Sequence, residues 1–178
     1  MTRRALVLIA AALVPSPSMA QLENLSPERL CEIGVGDYCP ETAHTKLVRA
    51  AHACRLDEVR SLIETEGLDP NVLEEKTATR AVNAAAFAGC LPVVQYLRNA
   101  GAALDLADAL GWTPLMVAAA KCRDAVVSDL LCRGKARLDI ADRFGDTALA
   151  LARRAASAEA SPSCAESLRL LSDPASCP

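Results

Sequence analysis

The chain has 178 residues, 52% of them hydrophobic but only 3% aromatic, with a formal net charge of −3. That balance argues against a general nucleic-acid binder, which needs a basic surface to meet phosphates. With Trp112, Tyr38, Tyr96, Phe87 and Phe144 as the only aromatics, a core must be built from Ala, Leu and Val, which suits closely packed short helices.

Arg3 and Arg4 precede an apolar run from Ala5 to Val14, and Ser18-Met19-Ala20 gives a small-x-small cleavage site before Gln21. This pattern predicts a secretory signal peptide over residues 1–20. The competing reading is a first helix of the domain. The run is too short for a membrane span, and Pro15 and Pro17 stop a helix. No Cys follows the cleavage site directly, which argues against a lipid anchor. The mature chain, Gln21 to Pro178, has 158 residues, enough for one domain with a sizeable core. Without Arg3 and Arg4, 17 basic side chains stand against 22 acidic ones, a formal charge of −5. No second apolar run reaches membrane length, so no stable membrane insertion is expected after signal removal. The expected location is periplasmic or secreted.

All eight cysteines lie beyond the signal peptide. An even count in an exported chain predicts disulfides. Metal binding is the alternative, but no pair has the tight C-x-x-C spacing of a zinc knuckle.

Residues 21–44 read as an N-terminal cap. Ser26-Pro27-Glu28 is a helix start, with Ser at the N-cap, Pro at the first helical position and an acid in the first turn. That helix would stop at Gly34. From about residue 45 the pattern becomes helical. Leu47, Ala50, Ala51 and Cys54 share one helix side, and Val59, Leu62 and Ile63 mark a second helix ended by Gly67. Asp69-Pro70-Asn71 reads as a turn. Val82, Ala85 and Ala86 then lead to Gly89. Pro92 opens the next helix, which carries Val93, Val94, Tyr96 and Leu97 and ends at Gly101. Leu104 to Leu110 is a projecting connection.

Gly111-Trp112-Thr113-Pro114-Leu115 opens the clearest unit, which continues through Met116-Val117-Ala118-Ala119 and a helix at about Asp124 to Cys132. Gly89, Val94, Leu97 and Gly101 find counterparts 33 residues on at Cys122, Val127, Leu130 and Gly134. Asp105 and Asp139 are 34 apart, which places one inserted residue after Gly134. Gly145-Asp146-Thr147-Ala148-Leu149 repeats the opening. Helices follow at about Ala148 to Ala156 and Cys164 to Leu171, the latter turning Leu168 and Leu171 inward, with a longer linker between them. A fixed period of this kind signals stacked units.

Thr113-Pro114-Leu115-Met116-Val117-Ala118 resembles the T-P-L-H-x-A signature of the ankyrin repeat, with Met116 in place of the His. The resemblance covers about Thr45 to Leu171. It implies an all-α solenoid of helix-turn-helix units, with four repeats at about 45–79, 80–112, 113–146 and 147–178. It also implies a protein-protein interaction module with no catalytic site and no cofactor. In such stacks the connection tips and first helices line a concave binding face. By position, Leu110, Trp112, Phe144 and Asp146 fall on or near the tips, and His52, Phe87, Lys121 and Arg154 on the first helices. Trp112 is expected to project rather than pack between helices, the alternative being that it packs against its own connection. The partner would be another protein. The alternatives are an accessory factor or subunit of a periplasmic redox or envelope enzyme, and a self-contained enzyme.

The repeat register also narrows the 105 pairings that eight cysteines allow. Cys31 and Cys39 share the cap loop. Cys54 and Cys90 sit at nearly equivalent places in neighbouring repeats. Cys122 and Cys164 share one edge, and Cys132 and Cys177 lie at the far ends of second helices. Cys90 with Cys122 is the main competitor.

Candidate chemistry is sparse. His44 and His52 would be about 12 Å apart on one helix, too far for one metal ion. Cys54 is near His52 in sequence, but side chains two residues apart on a helix point differently. Asp57-Glu58, Glu64 with Glu66, and Glu74-Glu75 read as solvated surface. Asp105, Asp108, Asp139 and Asp142 recur in register as turn stabilisers. The glycines stand at repeat ends rather than in a phosphate loop.

Overall fold

A computed structural model describes residues 41–74, 77–158 and 164–177. The signal peptide, the cap up to residue 40, and Cys31 and Cys39 lie outside the described residues. Four helix pairs follow one another: α1 (Ala43–His52) and α2 (Leu56–Glu64), α3 (Ala81–Ala88) and α4 (Leu91–Asn99), α5 (Pro114–Ala120) and α6 (Asp124–Ser128), α7 (Ala148–Ala158) and α8 (Ala165–Ser172). A π-helical turn, Asp129–Arg133, extends α6, and a 3₁₀ turn, Pro174–Ser176, follows α8. First helices stack in one layer, α1 on α3 on α5 on α7, and second helices form a parallel layer, α2 on α4 on α6 on α8. Two isolated antiparallel bridges, Glu74 with Thr79 and Ala141 with Thr147, close the connections between repeats. The all-α solenoid expected from the repeat is the fold observed.

The first-helix layer is narrow because its residues are small. Ala81, Ala84, Ala85 and Ala86 of α3 and Ala118 and Ala119 of α5 are buried, so neighbouring backbones approach closely. The second layer supplies the bulk, with Val59, Leu62, Val93, Val94, Leu97, Val126, Val127, Leu130 and Leu170 buried beneath it. Thr113 caps α5, its hydroxyl accepting from the Met116 N–H at 3.3 Å, and Pro114 stands in the first turn, where its missing N–H leaves no bond unmade. The first repeat starts earlier than the sequence suggests. Thr42 caps α1 by accepting from the Thr45 N–H at 3.1 Å, so residues 43 and 44 belong to the helix rather than to the cap.

One structural position recurs at the ends of the first helices of the first three repeats and holds a left-handed residue. Cys54 (φ 59°), Gly89 (φ 82°) and Cys122 (φ 51°) occupy it in successive repeats. At the first junction Cys54 is bonded to Cys90, with Cα atoms 5.4 Å apart. At the third, Cys122 is bonded to Cys164 across 4.7 Å. Each bridge therefore runs from the left-handed position of one repeat to the residue preceding the second helix of the next. At the middle junction the same place is taken by Gly89, and Arg123 lies directly over it. A Cβ built on Gly89 would come 2.9 Å from Cδ of Arg123, whose Nε donates to the Phe87 carbonyl at 3.1 Å. A third bridge, Cys132 to Cys177 with Cα atoms 5.5 Å apart, fastens the C-terminal turn to the end of the π segment.

The inserted residue of the third repeat does not lie after Gly134. Leu97 and Leu130 are equivalent and fully buried, but the left-handed residue moves from Gly101 in the second repeat to Lys135 (φ 53°) in the third. The Ala102 N–H reaches back to the Leu97 carbonyl, whereas that of Ala136 reaches the Leu130 carbonyl one residue further. The extra residue is absorbed as the π turn, where the Gly134 N–H bonds the Asp129 carbonyl at 2.9 Å. Its position is chemically marked. Asp129 is only 5% exposed and accepts from Arg98 Nη1 at 2.6 Å and Gln95 Nε2 at 3.0 Å, both from α4.

Polar side chains stitch the repeats in a regular series. Asn71 Oδ1 accepts from the Ala103 N–H at 2.7 Å, and Asp105 Oδ1 accepts from the Arg137 N–H at 2.9 Å. The Asp124 carboxylate receives both the N–H and the hydroxyl of buried Ser167, tying α8 to α6. The inward residues of α8 are Ser167, Leu170 and Leu171, with Leu168 only partly buried.

Candidate functional site

The turn tips are built by one carboxylate each. Asp108 Oδ1 accepts from the N–H groups of Leu110 (2.8 Å) and Trp112 (3.0 Å). Asp142 Oδ1 does the same for Phe144 (2.8 Å) and Asp146 (3.0 Å). Glu74 Oε2 serves the first tip, taking the N–H and hydroxyl of Thr77, each at 2.6 Å. These carboxylates recur 34 residues apart because each sits at the base of a turn whose N–H groups point inward. Each accepts from backbone N–H groups of its own tip, and Glu74 also accepts from the Thr45 and Thr77 hydroxyls.

Between the first two first helices and the second tip lies a cavity of about 560 Å³. Its wall is mainly apolar, formed by Val48, Ala84, Phe87, Leu110, Trp112 and Val117, with Arg49 and His52 at its edge. Phe87 is 42% exposed and Leu110 62% exposed, so both carry uncovered apolar area beside the opening. His52 stacks on Phe87 with ring centroids 5.7 Å apart, and Lys121 Nζ stands over the same ring, 4.7 Å from its centroid. Cation and ring attract each other through the ring quadrupole. Thus five of the side chains assigned from sequence, His52, Phe87, Leu110, Trp112 and Lys121, converge on one place.

The expectation that Trp112 projects is corrected. Its ring packs against the core, half-buried, and its Nε1 donates to Asp142 Oδ2 at 3.0 Å. Its carbonyl accepts from Asn83 Nδ2 at 2.8 Å and from the Asp108 N–H at 2.9 Å. An indole with a polar edge is satisfied by reaching the carboxylate of the next tip, and this bond fixes a ring that itself lines the cavity. The remaining three residues stand apart. Phe144, 88% exposed, forms the next tip, while Asp146 and Arg154 form an ion pair with each other.

Asn83 was not singled out in the sequence, although it breaks an alanine run 33 residues before Met116 and so takes the His position of the signature. It is 2% exposed. Its Nδ2 is used on the Trp112 carbonyl, and its Oδ1 is a buried side-chain acceptor without a hydrogen-bond partner. Val48 and Ala84 were missed as well, because an aliphatic residue at a groove wall looks the same in sequence as one in the core.

Among the described residues, no group of three or more His, Cys, Asp or Glu side chains is placed to hold a metal ion. None of the described helices is long and apolar enough to cross a membrane. On the second-helix side, Tyr96 donates to Glu64 Oε1 at 3.1 Å with Arg60 over its ring. Partial burial, and then the Glu64 carboxylate, push the Tyr96 hydroxyl above its ordinary pKa.

Comparison with known proteins agrees with this geometry. The chain matches the family described as "Ankyrin repeats (3 copies)" over residues 47–142 and, in a second register, 83–171. Among curated proteins, it is similar to "Cyclin-dependent kinase 4 inhibitor B" of Rattus norvegicus, 39% identical over 61 residues. That stretch is 34% of this chain and spans about half, 47%, of the relative's length.

Proposed function

The chain belongs to the ankyrin-repeat family, and from that premise we propose that it is an exported protein-binding module whose partner docks on the face made by the first helices and turn tips. The scaffold itself is a non-catalytic one that suits protein-protein binding. The observation that carries the reading is the cavity flanked by uncovered Phe87 and Leu110. Apolar area left open beside a preformed hollow is a hot-spot arrangement. The curated relative is by its name an inhibitor of a kinase, which also fits a scaffold acting through another protein.

Export to the periplasm or beyond is supported by the charged, apolar and small-residue pattern of residues 1–20 and by three bridges among the described cysteines. Two experiments test the two halves. Intact mass of the protein from its native compartment should begin at Gln21, and a species retaining Met1 to Ala20 removes the export half. A pull-down from the envelope fraction should recover a protein that is lost with Leu110→Asp and kept with Arg133→Glu on the opposite layer. Recovery insensitive to Leu110 removes the assignment of the face.

A further inference from the structure

We infer that the cavity between α1, α3 and the second tip takes a large apolar side chain from an acidic peptide segment of the partner. This rests on the protein-binding reading and specifies its chemistry.

The charge distribution carries the argument. The chain is acidic, yet the four first helices contain no Asp or Glu. They hold Lys46, Arg49, Arg153 and Arg154 as well as both histidines, and Lys121 caps α5. The second helices contain Asp57, Glu58, Glu64, Asp124 and Glu166. The second helices also carry Arg60, Arg98 and Arg169, so bases occur in both layers, whereas the first helices carry bases without acids. Asp108, a carboxylate among the lining residues, keeps its charge but turns Oδ1 to two backbone N–H groups of its own tip, and Glu74 holds Thr77.

The hollow supplies the second half of the recognition. About 560 Å³ with an apolar wall exceeds what one methyl group fills and accommodates a Leu, Phe or Trp side chain with its adjoining backbone. His52 and Lys121, both exposed, each contact the ring of Phe87, which lines the cavity. A carboxylate flanking the inserted side chain would meet one of them while its apolar neighbour covers Phe87 and Leu110. Apolar burial then provides affinity and the basic rim provides register and association rate.

The test is selection of a random dodecapeptide display library on the full chain, followed by binding measurements with synthetic copies of the enriched peptides. Enriched sequences should be net acidic with a Leu, Phe, Met or Trp beside the acids. Their affinity should fall at least tenfold with Leu110→Asp and with the pair His52→Glu/Lys121→Glu, and should weaken as salt rises. Arg133→Glu should leave it unchanged. All of these positions are exposed in whole or large part, and circular dichroism checks that each variant stays folded. Neutral or basic enriched peptides, or acidic ones insensitive to both variants, overturn the inference. Peptides that bind elsewhere on the first-helix face overturn it too but leave the protein-binding reading standing. Failure of that reading shows separately, as a native partner held by the second-helix layer.

Discussion

Removing the Cys122–Cys164 bridge tests how the last repeat is held. The bond closes a segment with a sequence separation of 42 residues that contains α6, the third connection, α7 and the linker before α8. Loop-closure entropy for that length gives about 4 kcal/mol as the most the bridge can contribute. Cys122 is also left-handed, at φ 51°, where an L side chain is strained by about 1 kcal/mol and glycine is not. The second repeat puts Gly89 at the equivalent place, an internal precedent for the relaxed residue. We therefore expect Cys122→Ala/Cys164→Ala to lose about 4 kcal/mol, and Cys122→Gly/Cys164→Ala about 3 kcal/mol. Equilibrium urea unfolding under non-reducing conditions, read at constant m-value, measures both. If the two variants are equally stable, the left-handed position carries no strain. If both lose less than about 1 kcal/mol, packing of Leu170 and the Asp124–Ser167 contact hold the repeat and the bridge adds little.

Trp112→Phe keeps most of the ring but removes the bond to Asp142, and should lower stability by about 1 kcal/mol. Asp142→Asn should not add to it fully, and a thermal double-mutant cycle reads that coupling. Asp129→Ala strands the partly buried Arg98 guanidinium and unravels the π turn, so it should cost about 3 kcal/mol in urea unfolding, against almost nothing for exposed Arg133→Ala. The raised pKa of Tyr96 means that its favourable contribution is present below the unfolded value of about 10 and is lost as pH rises through the higher folded value. Stability of the native chain should therefore fall more steeply above pH of about 10 than that of Tyr96→Phe, as measured by urea midpoints across that range.

The repeat was legible because its requirements are local. Gly89, Gly101 and Gly145 adopt positive φ where the spacing put repeat ends and openings, and Thr113-Pro114 caps a helix by short-range chemistry. Bridges between neighbouring repeats were legible for the same reason, since a constant period brings fixed positions together. The insertion was misplaced because period counting locates an extra residue only between two landmarks. Its true place was decided by Asp129, whose partners Gln95 and Arg98 lie a full repeat away. Trp112 was misjudged likewise, because its acceptor Asp142 is 30 residues on and nothing in the local sequence announces that bond. The start of α1 is set by the Thr42 hydroxyl, which lies ahead of the first periodic apolar residue, Leu47. Of the assigned binding residues, those meeting at the cavity follow the repeat geometry. Asp146 and Arg154 found each other instead, a pairing that joins a tip to the helix after it.

Site-specific photo-crosslinking in the native host tests the central claim most directly. A photoreactive residue at Leu110, on the rim of the cavity, is compared with one at Arg133, on the second-helix layer, and adducts are identified by mass spectrometry. The account predicts a protein adduct from position 110, abolished by His52→Glu/Lys121→Glu, and none from position 133. An adduct from position 133 alone, or equal labelling from both, would contradict it.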